Sequence, residues 1–375
     1  MLFVSTLAKA RIEVSLLTCQ PHDEVYSLYG HTAIRVHNLE TGADIAVNYG
    51  VFDPRTDFFV MRFVFGLTDY SLGICSYKDF LDEYRQYGSG VYEQRLNMSD
   101  EEKKNFLEAL LVNSRPENVV YRYNYFYNNC TTKARDILLD AYPGDVKYSS
   151  NKYQQGECSF RELVRMKTSE HRWAQWGNDL LLGVMADVNT EHDERQFLPE
   201  VLAADFDSAK IIYSGGSEKP LVDSTFWALQ PGKTWKNPDT LNFPLTPLQL
   251  SWVVLLVIIL YLMIEIFVTH RPLLWVHYSF SCLYAVVGVL LFLMLFSQHP
   301  TVRLNFQIFI FNPLFFVFAY PKVLKKWGKY AIISSIIIFF SGNIFQSYAE
   351  GVNILAIALI LMQLALCSRK LCIFK

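Results

Sequence analysis

The sequence predicts an α+β domain followed by an α-helical transmembrane bundle of about five spans, and three observations carry this. Short alternating segments and amphipathic stretches share residues 11–230 with most of the charge. Long apolar runs dominate from residue 250 onward. Between them lies a proline-rich polar connector, PGKTWKNPDTLNFPLTP (231–247). The chain therefore divides into a short apolar start (1–10), a soluble domain (11–230), a linker (231–249) and a membrane region (250–375).

Composition narrows the function classes. Hydrophobic residues make up 51 % and the net charge is −2, so no basic face for nucleic acid is expected. The seven cysteines show no CxxC pair or zinc-ligand spacing, so no metal and no cofactor is expected. A disulfide among Cys19, Cys75 and Cys158 has no support from spacing.

In the soluble domain, strands are expected at 11–18, 31–37, 44–50 and 118–126. HTAIRV leads through Glu40, Thr41 and Gly42 into DIAVNYG, which reads as a β-hairpin. Helices are expected at 76–87, 131–141, 159–168 and 99–113, the last with Ser99 as cap and Glu102 completing a capping box. Residues 171–215 read as helical in part and then irregular.

Five apolar segments follow: 250–268, 275–296, 304–320, 330–345 and 354–367. The first two approach the roughly 20 residues that cross a bilayer. Lys322, Lys325, Lys326 and Lys329 lie between the third and fourth, Arg271 between the first and second, and Arg369, Lys370 and Lys375 after the fifth. The opposite loops hold only Arg303. The positive-inside rule then puts the 321–329 loop and the C-terminus in the cytoplasm and residues 11–245 outside. An exported domain needs a signal, and MLFVSTLAKA lacks a basic n-region and is too short for a full signal peptide, so 1–10 reads as the remnant of one.

Two residue types suggest chemistry. Cys130 opens the amphipathic helix of YNNCTTKARDILL, where a helix N-terminus lowers a thiol pKa. A buried structural cysteine is the plain alternative, since free cysteine is among the most buried residues. Position at the exposed helix start favours the reactive role. His31, on the strand of YGHTAIRV, is the candidate base, and a neutral imidazole needs its second nitrogen held before it accepts a proton reliably. Asn48 and His37 are candidates to hold it. A turn or cap role is open for Asn48, and a solvated surface position for His37. In SQHPTVRLNFQ (297–307), His299, Arg303, Asn305 and, beyond it, Asn312 are candidates to bind a phospholipid head group or an amine. A capping loop with interfacial side chains is the alternative.

The segments TC-x-P-x-x-E-x-YSLYGHTAIRV (18–36), NYGVFD (48–53), FYNNCTT (126–132), SFREL (159–163), FLPEVL (197–202), HP-x-V-x-x-N (299–305) and NPL (312–314) together resemble the Lnb-type lipoprotein N-acyltransferases. The resemblance covers nearly the whole chain from about residue 11. It implies a permuted papain-like (NlpC/P60-like) domain in which histidine precedes cysteine, with Cys130 carrying an acyl thioester and His31 as its base. It also implies a bacterial inner-membrane protein with a periplasmic catalytic domain, a phospholipid acyl donor and a diacylated lipoprotein acceptor. Tyr26 or Tyr29, with the Cys130 backbone N–H, are candidate oxyanion donors.

Two other functions remain open at this point. A cell-wall cysteine peptidase or amidase fits the same thiol fold, although several spans exceed what it needs. A non-enzymatic membrane scaffold would make Cys130 structural.

Overall fold

The computed structural model describes residues 11–22, 27–53, 55, 57–149, 151–232, 243–270, 272–315 and 329–372. In chain order these form strands β1 (Ile12–Cys19), β2 (His31–Asn38) and β3 (Asp44–Val51), helix α1 (Phe59–Val64), β4 (Asp69–Ser76), α2 (Tyr77–Tyr87), β5 (Val91–Leu96), α3 (Asp100–Asn113), β6 (Val120–Arg122), α4 (Cys130–Leu139), β7 (Asp145–Lys147), α5 (Phe160–Thr168), α6 (Arg172–Leu181), α7 (Pro199–Ser208), β8 (Lys210–Ile212), β9 (Glu218–Pro220) and β10 (Val222–Leu229). Helices α8 (Pro247–Ile264), α9 (Leu274–Met294), α10 (Lys329–Gly342) and α11 (Val352–Cys372) follow. The chain separates into two compact units, one of Met1–Cys158 with Thr190–Thr240, the other of Ser159–Asn189 with Leu241–Lys375.

The first unit is a seven-stranded antiparallel sheet in the order β10-β5-β1-β2-β3-β4-β6, with helices on both faces. Alternation places Leu16, Ile34 and Val47 on one face, against Phe106 of α3, Ala134 and Leu138 of α4, and Leu202 and Phe206 of α7. Leu17, Ala33 and Ala46 point to the other face, against Phe80 and Tyr84 of α2. Both faces are covered, so the central strands are apolar at consecutive positions. Each fully buried Leu or Phe contributes about 1.5–3 kcal/mol. That burial holds α4 against β2 and β3, and with it the helix start that carries Cys130.

The helical ends follow local chemistry. Ser76 caps α2, and Ser99 with Glu102 forms the expected capping box of α3. Asn129 caps α4, taking the backbone N–H groups of Thr131 and Thr132, while the Thr132 hydroxyl accepts from the Asn129 N–H at 2.9 Å.

The strand expected over 118–126 pairs only through Val120–Arg122. Beyond it the Asn124 side chain accepts from the N–H groups of Phe126 and Tyr127, and an amide that serves its own backbone replaces the ladder with a turn. Strands β4, β5 and β7 to β10 fall outside the expected set; β7, β8 and β9 are only three residues each, too short to show a period.

The second unit is helical. Among the described residues, two helices are long and apolar enough to cross a membrane, Pro247–Thr269 and Leu274–Met294. Only 17 % of the apolar window in the first is buried, so most of its Leu, Val and Ile side chains face outward, as a helix in lipid requires and a core helix in water does not. Helices α10 and α11 are apolar, and α11 packs along α8 through Ala358 and Met362 against Leu255, Ile258 and Leu262. A Cβ added to Gly288 would stand 2.2 Å from the Phe311 carbonyl oxygen, so this small residue lets the 311–313 backbone close on α9.

The segment expected as a span over 304–320 is not a continuous helix in its described part. Leu304 has φ +53°, Phe306–Phe309 is a 3-10 turn, and Pro313 follows. Residues 316–320 lie outside the described residues. So do Arg271, Lys322, Lys325, Lys326 and Lys375, residues 1–10 and most of the linker.

Ser159–Asn189 joins this unit through buried polar contacts. Arg161, with 1 % of its side chain exposed, pairs with Asp179 and Asp187 and donates to the Leu182 and Gly183 carbonyls. The Gly183 N–H donates to the Thr301 carbonyl, and the Gln307 amide to that of Asp179.

Candidate active site

Cys130 is the first residue of α4, half-buried, and its thiol shares the wall of one cavity with the His31 imidazole, near enough for each to act on the other's charge. His31 opens β2. Asn48 on β3 pairs in register with Ala33, two residues after His31, which puts the two side chains on the same face as diagonal neighbours. Their contact is short, with His31 Nε2 at 3.0 Å from Asn48 Oδ1. An amide oxygen only accepts, so neutral His31 carries its hydrogen on Nε2 and keeps Nδ1 as the basic nitrogen. The Asn48 amide nitrogen is turned to Cys75 Sγ at 3.8 Å, which fixes which way the amide points.

Electrostatics separate this thiol from its neighbours. Burial works against a Cys130 thiolate, but the charge of His31 and hydrogen bonds from His31, the Thr32 backbone N–H and the Thr131 hydroxyl outweigh it and bring the pKa down to about 7. For His31, burial disfavours the charged ring, yet the charge and hydrogen bond of Cys130 and the hydrogen bond of Asn48 raise its pKa. The two shifts run in opposite directions, each toward the charged form of its group. Burial pushes the Cys19 and Cys75 thiols up instead. Cys19, Cys75, Cys130, Cys158 and Cys282 form no disulfide.

Thr32 serves twice, since its hydroxyl donates to that of Thr131 at 3.1 Å and ties β2 to the first turn of α4. Gly50 is the other hidden contributor. It has φ +94°, sits where β3 slips register against β4 between Asn48 and Val51, and a Cβ there would come 3.4 Å from Cys130 Cβ. A side chain at this bulge would crowd the Cys130 thiol.

A cavity of about 300 Å³ opens beside the pair. Cys130, His31, Asn48 and Gly50 line it with many aromatic rings. Tyr29 is on its wall, edge-on to Tyr125 at 5.2 Å. Tyr26 lies outside the described residues. His37 stands opposite Asp44, six residues along β2 from His31 and about 20 Å away, too far to hold that ring. Among the described residues no cluster of His, Cys, Asp or Glu could hold a metal ion.

The other candidates belong to the helical unit. Asn305 is buried, donates to the Leu180 carbonyl at 2.7 Å and accepts from the Gln307 N–H and the Gln346 amide, so a ligand there would compete with bonds already made. Arg303 is exposed, its guanidinium reaching the Ser297 carbonyl at 3.4 Å, and His299 is half-buried. The Asn312 amide donates to Ser335 Oγ at 3.4 Å.

Sequence reading missed Thr32 and Gly50, which leave no motif of their own. The Asn129 cap was visible in the N-x-x-T spacing of NCTT.

Comparison with known families gives two matches, the Lnb N-terminal periplasmic domain over residues 3–162 and the Lnb transmembrane domain over residues 238–370. Neither a curated protein nor a solved structure matches the chain. With a thiol–imidazole pair in the part matched by the periplasmic domain and long apolar helices in the part matched by the transmembrane domain, the chain belongs to the Lnb family and is a membrane protein with a periplasmic region.

Proposed function

We propose that this protein is a lipoprotein N-acyltransferase of the bacterial inner membrane. It would move a fatty acyl chain from a phospholipid, through a Cys130 thioester, to the α-amine of the N-terminal diacylglyceryl-cysteine of lipoproteins. The observation that carries this reading is the Cys130–His31 pair, a thiol brought to about pH 7 in an aromatic-lined cavity. A permuted papain-like arrangement is supported by the order of parts, with the histidine strand preceding the cysteine helix. About five spans are proposed for the membrane region.

The cycle uses the ion pair in both directions. The thiolate attacks the donor ester carbonyl, the C–S bond forms, and the alcohol of the lysophospholipid leaves with the proton of the His31 imidazolium. Neutral His31 then takes an N–H proton from the acceptor amine as its nitrogen attacks the thioester. The C–S bond breaks, the amide departs, and thiolate and imidazolium are restored. Asn48 holds the ring through both proton transfers.

Intact-mass analysis of the full-length protein in phospholipid–detergent micelles tests this. An acyl adduct that hydroxylamine removes, that is absent from Cys130→Ala, and that passes to a diacylglyceryl lipopeptide is the expected result. N-acylation by Cys130→Ala would overturn the assignment of the nucleophile. Cleavage of peptidoglycan fragments with no adduct would support a peptidase instead.

A further inference from the structure

The cavity beside Cys130 carries an unusual charge pattern. Tyr29, Tyr49, Tyr70, Tyr84, Tyr123 and Tyr125 supply much of its wall, and among the described residues no lysine or arginine lines it. Among the described residues its lining carboxylate is Glu83, on an exposed position of α2. The neighbouring Asp82 is paired with Lys78 and Arg85, whereas no cation pairs with Glu83 among the described residues. Glu83 is also close enough to the reacting groups for its charge to act on His31 and on Tyr84.

A carboxylate without a counter-ion, beside the negative faces of several rings, attracts a cation and repels an anion. Cys130 and His31, as thiolate and imidazolium or as thioester and neutral imidazole, add no net charge, so Glu83 sets the sign. A cavity of about 300 Å³ is at the small end for ligand pockets, enough for a compact polar group and the start of a chain. We propose that the Glu83 side of this cavity is a subsite for a primary ammonium group, held by the carboxylate and the tyrosine faces. This deepens the acyl-transfer reading and rests on it.

Two lipids carry such a group: the acceptor, through its α-ammonium, and a donor with an ethanolamine head. For the acceptor the two protons leave in turn. The bound ammonium loses one proton to water at the exposed carboxylate, the neutral amine attacks the Cys130 thioester, His31 takes the second proton, and the thiolate leaves.

Glu83→Gln in the full-length protein tests this, with Glu83→Asp as the charge-retaining control. With phosphatidylglycerol as donor, which has no ammonium, Glu83→Gln should raise the half-saturating lipopeptide concentration about tenfold, the size of a lost charge-assisted hydrogen bond. The loss should fall on the acceptor step rather than on thioester formation. Loss confined to thioester formation from phosphatidylethanolamine would assign the subsite to the donor head. Binding is read separately through alkylation of Cys130 by iodoacetamide. A lipopeptide with a free amine should slow it, its N-acetylated form should not, and Glu83→Gln should abolish the difference. That readout needs no acyl transfer, so it stands if the transferase reading fails. Equal protection by both lipopeptides, together with unchanged acceptor and donor dependence in Glu83→Gln, overturns the proposal.

Discussion

The Asn48 amide oxygen lies 3.0 Å from Nε2 of His31, and the other end of the same amide faces Cys75 Sγ. One side chain therefore sets both the tautomer and the tilt of the ring that meets the Cys130 thiol. Removing it leaves the ring without its orienting partner. Asn48→Ala should slow thioester formation about 10- to 100-fold, as loss of roughly 1.5–3 kcal/mol from a hydrogen bond to a charged ring does. Single-turnover mass spectrometry measures it, and a rate within twofold of the parent would show that the ring is held by other groups.

The Cys130 pKa of about 7 makes a prediction on pH. Alkylation depends on the thiolate, whose population rises with pH through its pKa, so the rate of Cys130 alkylation should inflect near 7. His31→Ala removes the charge and hydrogen bond that favour the thiolate and leaves the burial that opposes it. Its inflection should move above the ordinary thiol value of 9.0. An unmoved inflection would mean that the helix start, not His31, activates the thiol.

Gly50→Ala should impair the site while leaving the sheet formed. The added methyl meets Cys130 Cβ at 3.4 Å in a backbone with φ +94°, which costs about 1–2 kcal/mol for an L residue. Slower alkylation of Cys130 with a modestly lower melting temperature is expected. Unchanged alkylation would show that the bulge relaxes away from the thiol.

Arg161 is expected to matter to stability rather than to chemistry. Its guanidinium is buried and shared by Asp179, Asp187 and the carbonyls of Asp179, Leu182 and Gly183; Asp179 keeps Arg165, but Arg161→Ala leaves Asp187 without its cation and the carbonyls without a donor, at a cost of about 3 kcal/mol. Thermal unfolding in detergent reads this. A melting temperature equal to the parent would contradict it.

Arg303 and Asn305 should behave differently although they are two residues apart. Arg303→Ala, at an exposed side chain, should weaken use of an anionic phospholipid donor more than it changes melting. Asn305→Ala removes buried bonds to Leu180, Gln307 and Gln346 and should lower the melting temperature. The opposite ordering would remove Arg303 from donor binding.

The sequence by itself determined the α+β and membrane division, the hairpin of β2 and β3, the capped helices α2, α3 and α5, and Cys130 at a helix start, because alternation, amphipathic spacing and caps are local rules written within a few residues. Only the tertiary structure decided which groups meet. The diagonal register of β2 on β3 brings Asn48 to His31, the bulge at Gly50 opens space beside the thiol, and Glu83 of α2 reaches the cavity from a helix that carries no motif. Residues 159–189 lie between parts of the sheet unit in sequence, yet bonds from Gly183 to Thr301, Arg165 to Tyr348 and Gln307 to Asp179 bind them into the helical unit. Pairings of this kind join residues tens of positions apart, and no periodicity within a single segment encodes them.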